Sequence, residues 1–358
     1  MKKLDWYIVK QFLSAFVFIV ILLVAIIVVV DLTEKNGDFI KRHASTHAII
    51  FEYVLNYAPY LASLMSPITV FIASVFVTAQ LASRTEIIAM LSSGMSFKRF
   101  IRPYFIGACT IGVGIFYLVG WIIPNANKTR VEFERKYLKD SFSFTNRNVH
   151  IKVAQDVYAY LESYNNANDV GSRFTLERIE GTKLVSKLKS SQITWLADKK
   201  KWQLEASNIH TFNGQVEKIS TLGRMDTTLN LIPKDFQSQY NEQQRYTLNE
   251  LQNKIDELKV RGADDIPIYQ IEFYQRFTAP FAVIILTCMG VILSARKSRG
   301  GVGLQIAFGF VLAFVYILFF MLSTGIAQKG GIPPIVAVWL PNIIFSGIAV
   351  LLYNTVPR

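Results

Sequence analysis

The feature that most constrains this chain is "FLSAFVFIVILLVAIIVVV", Phe12 to Val30, which carries no charged side chain. At 1.5 Å rise per residue, a helix of that length crosses a hydrocarbon core of roughly 30 Å. Backbone in lipid must satisfy its own N–H and C=O groups, so an isolated apolar run of this kind folds as a helix. Comparable runs occupy about Val54 to Leu81, Phe105 to Ile123, Phe277 to Leu293, Leu304 to Ala327 and Ile335 to Leu352. Three spans therefore lie on each side of a polar middle, and the chain reads as an α-helical integral membrane protein.

The composition agrees with that reading. Of 358 residues, 51% are hydrophobic and 18% charged, an oilier balance than a soluble domain needs. The first span is longer than the apolar core of a secretion signal, and "VVVDLTEKNG" after it offers no small-x-small cleavage site, so it is expected to stay as an anchor. Cys109 and Cys288 both fall inside spans, where they read as small packing residues rather than a disulfide or a metal pair.

A net charge of +12 raises the question of nucleic acid, and the placement of the charge answers it. Lys2, Lys3 and Lys10, then Arg84, Lys98, Arg99 and Arg102, then Arg296, Lys297 and Arg299, and finally Arg358 fall in short segments on one side, against Asp5 and Glu86. The opposite short loops balance Lys35, Lys41, Arg42 and Lys329 with Asp31, Glu34, Asp38 and Glu52. Basic residues gather on the cytoplasmic side of membrane proteins, so both termini are expected inside and the polar middle outside. No nucleic-acid partner is needed.

That middle, residues 125–269, changes period. "VHIKVAQDVYAYLESY" and "RFTLERI" alternate apolar and polar residues, and "SSQITWLADKKKWQLEASNIHTF" reads as a hairpin turning at Ala197 to Lys201. Regularly spaced strands predict an antiparallel, jellyroll-like all-β domain. "TLNELQNKIDELKVRG" closes it with an amphipathic helix: Thr247 and Glu250 form a capping box, Leu248, Leu251, Ile255 and Leu258 share a face, and Gly262 is the stop. The expected organisation is thus residues 1–124 with three spans, the β-domain, and residues 270–358 with three more.

One polar stretch between spans two and three, "ASRTEIIAMLSSGMSFKRFIRP", is too ordered for a slack linker. Ser83 and Glu86 have capping-box spacing, Ile87, Ile88 and Leu91 fall on one helical face, and Gly94 supplies a stop. A short helix at about 83–94 follows, either lying on the lipid surface or docking into a cytoplasmic partner. The chain has no G-x-x-x-x-G-K-[ST] segment; "GGVGLQ" lacks the lysine and does not follow a strand. A permease without a phosphate-binding loop of its own implies a separate motor.

In this order and topology, "ASRTEIIAMLSSG", "RKSRGGVGLQIAFGF" and "GGIPPIVAVWLPN" make the whole chain resemble the lipopolysaccharide-export permeases, the paired membrane subunits of an ABC transporter in Gram-negative inner membranes. The resemblance implies a transporter subunit and not an enzyme. It further implies a second permease subunit, a cytoplasmic ATPase dimer that carries the ATP and magnesium, periplasmic bridge proteins, and lipopolysaccharide as cargo. It makes Arg84, Glu86, Ile87, Leu91 and Gly94 the ATPase-docking residues. It also places Lys35, Lys41 and Arg42, at the outer end of the first span, where they pair with lipid phosphates or serve as snorkelling anchors.

Two neighbouring functions share these features: an ABC-type permease for another lipid or a lipoprotein, and a non-transporting envelope scaffold. Other constellations point nowhere. His43 and His47 have the spacing of a zinc pair, but "HASTH" lacks the glutamate and a third ligand. No G-x-S-x-G is present. Arg276 and Glu272, four residues apart, read as a local pair.

Overall fold

The computed structural model describes residues 3–138 and 149–354, apart from 155, 166–167, 182, 214–215, 234–241, 262–264 and 296–300. Lys2, Arg296, Lys297, Arg299 and Arg358, invoked above for sidedness, and Gly262, invoked as a helix stop, lie outside the described residues. Two compact units emerge. One comprises Met1–Tyr137, Gln243–Leu251 and Pro267–Arg358, the other Leu138–Glu242 and Gln252–Ile266.

Six helices of the first unit are long and apolar enough to cross a membrane. The helix α1 (Lys3–Lys41) has 39 residues, about 58 Å at 1.5 Å per residue, so it outruns the hydrocarbon core and carries its last turns beyond it. After the short α2 (Thr46–Ala48), the π-helical Ile49–Val54 leads into α3 (Leu55–Leu64) and α4 (Ser66–Ser83). The expected second span is therefore jointed at Met65, and only α4 is its apolar crossing. The helix α5 (Glu86–Ser92) precedes α6 (Phe97–Tyr117), which continues through a π turn into α7 (Ile123–Tyr137), past position 124. The return comprises α8 (Leu248–Arg261), α9 (Ile266–Ser294), α10 (Gly301–Gln328) and α11 (Pro334–Asn354).

α4 is the centre of the bundle: Val70, Phe71, Ala73, Val75, Val77 and Leu81 join one buried cluster with residues of α1, α6, α9, α10 and α11. Buried hydroxyls of α4 bond within the protein. The Thr78 hydroxyl donates to the Tyr104 oxygen at 2.9 Å, and Ser74 donates to the Phe71 carbonyl. Where packing does not separate water from lipid, such bonds and small residues supply the specificity of helix association.

The second unit contains an antiparallel sheet of seven strands: β1 (Val149–Ala154), β2 (Val157–Leu161), β3 (Ser163–Asn165), β4 (Val170–Glu180), β5 (Lys183–Leu196), β6 (Lys201–Asn213) and β7 (Val216–Thr227). Its order is β1-β2-β4-β5-β6-β7, with β3 pairing β4 beside β2. The predicted hairpin forms, with Leu196 opposite Lys201. Gly171 is required by close approach, since a Cβ there would collide with Leu161 Cδ2 and lie 2.8 Å from Ile193 Cγ2. That space lets Phe174, Ile193, Trp202 and Leu204 close one core, with the Trp202 indole donating to the Leu231 carbonyl at 2.8 Å. Left-handed Ala206 sits in a bulge between Leu204 and Ser207, and the Glu205 carbonyl there accepts from the Ser190 hydroxyl at 2.6 Å. The inserted antiparallel sheet and the six helices bear out the expected architecture.

Candidate functional site

The polar stretch between α4 and α6 forms a short helix, but a different residue starts it. Ser83 ends α4, its hydroxyl donating to the Gln80 carbonyl at 2.9 Å. Thr85, not Ser83, is the N-cap of α5, with a left-handed φ of 61° and no side-chain cap bond. The expected Ser83–Glu86 capping box is therefore corrected: continuation of α4 through Ser83 consumes the serine that the pattern assigned to the next helix. Glu86 sits in the first turn of α5, where a carboxylate is favoured by the helix dipole.

The predicted apolar face divides. Ile87 is 2% exposed within the central cluster, where Met90, Leu91 and Met95 pack partly against it. Ile88 is 57% exposed. Arg84 is exposed, Glu86 half-buried, and among the described residues Glu86 has no ion-pair partner. Gly94 ends the element at φ 86°, a left-handed position where the absent side chain removes the strain. Ser96 then caps α6, its hydroxyl accepting from the Arg99 N–H.

Two contacts fix which end of the bundle this is. Arg99 Nη2 meets Asp5 Oδ2 at 2.7 Å, and the Phe97 ring lies 6.1 Å from that of Tyr353. The start of α1, the end of α11 and α5 therefore occupy one end together.

Lys35, Lys41 and Arg42 lie toward the other end of α1, in three different environments. Lys35 Nζ pairs with Asp31 at 2.7 Å and also donates to the Tyr53 hydroxyl. That hydroxyl donates in turn to Asp31 Oδ2 at 2.6 Å. Lys35 stands 5.0 Å from the Tyr53 ring centre and 5.8 Å from that of Tyr57. Arg130, from α7, stacks over Tyr57 and Tyr60 at 4.9 and 5.1 Å and reaches Glu134 at 3.6 Å. Lys41 is exposed in the last turn of α1. Arg42 follows the helix, its N–H donating to the Asp38 carbonyl. The structure thus separates Lys35, engaged in a network, from Lys41, which faces outward.

Sequence reasoning did not find Tyr53 and Tyr57 beside Lys35, nor Arg130 stacking on Tyr57 and Tyr60 and pairing with Glu134. The i,i+4 spacing of Arg130 and Glu134 and the helical spacing of the tyrosines were the available signals. Their convergence on α1 is a tertiary event. Elsewhere, Arg276 is 1% exposed and holds Glu272 at 3.2 Å, as expected. His43 and His47 join no metal-binding group among the described residues, and His47 instead stacks on Phe51 at 4.6 Å.

A family model for the lipopolysaccharide export system permease LptF/LptG matches residues 6–355. No curated protein matches the chain. The match runs through both sets of spans, α5 and the inserted sheet, and the chain belongs to this family of multi-pass membrane transporter subunits.

Proposed function

We propose that this member of the lipopolysaccharide export permease family works as one half of an ATP-driven ABC transporter. In this reading it pairs with a second permease subunit, takes its stroke from a cytoplasmic ATPase dimer that binds ATP and magnesium, and hands lipopolysaccharide to a periplasmic bridge. The carrying observation is α5: a short helix rooted in the bundle by Ile87 while Arg84 and Ile88 face outward beside Glu86. A rooted knob transmits a push; a helix floating on lipid would absorb it. Ile87 and Leu91 then hold the helix, and Arg84, Glu86, Ile88 and the turn at Gly94 meet the ATPase.

The end that bears α5, the start of α1 and the end of α11 is the cytoplasmic one, by the distribution of basic residues. The sheet is then periplasmic. Its last strand, β7, offers a bridge protein an edge: among the described residues no strand pairs its outer side, and Val216, Ile219 and Leu222 are 69%, 59% and 44% exposed. Strand addition at such an edge gives affinity through main-chain bonds and specificity through alternate side chains. At the outer end of α1, Lys41 and Arg42 contact lipid phosphate, while Lys35 shapes the site through Asp31 and Tyr53.

Co-purification tests the docking. Glu86→Lys reverses one charge on an outward-facing patch and lowers recovery of the ATPase about tenfold, equivalent to ~1.4 kcal/mol, without moving the unfolding midpoint. An intact ATPase complex with Glu86→Lys would reject this surface. Stimulation of ATP hydrolysis by lipopolysaccharide, and not by a neutral lipid, separates this function from export of another lipid and from a scaffold.

A further inference from the structure

Pro341 lies inside α11. Having no N–H, it leaves the carbonyl four residues earlier, that of Ala337, without its helical partner. In lipid no water fills such a vacancy, so a neighbouring side chain must. The Ser323 hydroxyl of α10 does so, donating to the Ala337 carbonyl at 2.7 Å. One residue beyond the proline, Asn342 Oδ1 accepts from the Tyr316 hydroxyl of α10 at 2.8 Å, and Asn342 Nδ2 donates to the Thr278 carbonyl of α9 at 3.2 Å. Ser323, Tyr316 and Asn342 are all buried, and Ala327 and Ala337 allow the close approach of α10 to α11. Three helices therefore converge on one proline.

The contact of α10 with α4 has a different chemistry at Gly309. A Cβ at Gly309 would lie 2.8 Å from the Phe71 ring and 3.1 Å from Val75 Cγ2. An apolar contact of this kind exchanges for acyl chains at small cost, whereas parting α10 from α11 strands a carbonyl and two polar side chains in hydrocarbon.

We propose that α9, α10 and α11 move as one block during transport, that Ser323 and Asn342 are its positioning residues, and that α10 opens on its α4 side. This rests on the transport reading for its motion; the clamp itself does not. The block makes the exposed apolar face of α10 a wall carried by its neighbours rather than a flap.

The test uses the full chain in lipid nanodiscs, alone and reconstituted with its paired permease and ATPase, with Cys109 and Cys288 replaced by Ala. Nitroxides at Leu322→Cys and Ile343→Cys report the distance between α10 and α11; a second pair at Phe308→Cys and Phe76→Cys reports that between α10 and α4. The expected result is an α10–α11 distance that stays fixed through the nucleotide cycle while the α10–α4 distance shifts. Ser323→Ala broadens the first distribution and Ser323→Thr, which keeps the hydroxyl, does not. Ser323→Ala also lowers the unfolding midpoint by about 2–4 °C, but not in the Pro341→Ala background, where the restored N–H fills the Ala337 carbonyl. An α10–α11 distance that follows nucleotide, or an equal thermal loss from Ser323→Ala in both backgrounds, would overturn the proposal. The thermal cycle and the Ser323→Ala broadening are read on the chain alone. Failure of lipopolysaccharide to stimulate ATP hydrolysis would remove the transport reading and leave them standing.

Discussion

At the scale of single residues, Lys35 shows how a basic side chain placed by sequence changes meaning once its neighbours are known. Its ammonium is shared between Asp31 and Tyr53 and faces two aromatic rings. Removing one partner of a half-buried pair leaves the other polar group unmet, at a cost of about 1–3 kcal/mol. Lys35→Ala is therefore expected to lower the unfolding midpoint in detergent, and Asp31→Ala in the same chain to recover part of the loss. A side chain that only bound lipid would show neither effect. Lys41→Ala, at an exposed position, is expected to leave the midpoint unchanged while reducing crosslinking of a lipid A probe. Thr85 carries strain of another kind: a β-branched residue at φ 61° costs about 1–2 kcal/mol relative to an ordinary backbone conformation. Thr85→Gly relieves that cost, and a midpoint unchanged or lower would show that loop entropy outweighs it.

Elements add caps and close approaches that single residues do not. The helix α8 begins as its sequence predicts, with the Glu250 carboxylate accepting from the Thr247 N–H at 2.8 Å. That backbone bond, then the Lys128 ammonium at 3.0 Å, holds Glu250 below the usual carboxylate range. A group whose folded pKa is depressed stabilises above its unfolded pKa and loses that contribution as pH falls through the folded one. Hydrogen exchange in the first turn of α8 should accordingly rise below the carboxylate range, and Glu250→Gln should abolish that dependence. In the sheet, Gly171→Ala puts a methyl against Leu161 and Ile193. Overpacking of this sort costs about 1–3 kcal/mol, readable as earlier unfolding of the β unit by Trp202 fluorescence. Ser83 is the instructive failure: S/T-x-x-E spacing cannot tell a cap from the last turn of the preceding helix, because both place a hydroxyl three residues before an acid.

For the whole molecule, sidedness is the property to measure. Ser93→Cys in the Cys109→Ala, Cys288→Ala background should resist an impermeant maleimide in intact spheroplasts, and Lys199→Cys should react. The reverse pattern would invert the topology and remove the docking surface. Apolar runs and an abrupt change of period decided the six helices, the inserted strands, the β5–β6 hairpin and the cap of α8, because each depends on neighbours within a turn or a strand. Only the tertiary structure decided that Lys35 is partnered by Tyr53 and faces the Tyr57 ring on which Arg130 stacks. It also decided that Ile87 roots α5 while Ile88 faces out, and that Ser323 fills the carbonyl opposite Pro341. Those are meetings between residues far apart along the chain, and no local period encodes which helix will face which.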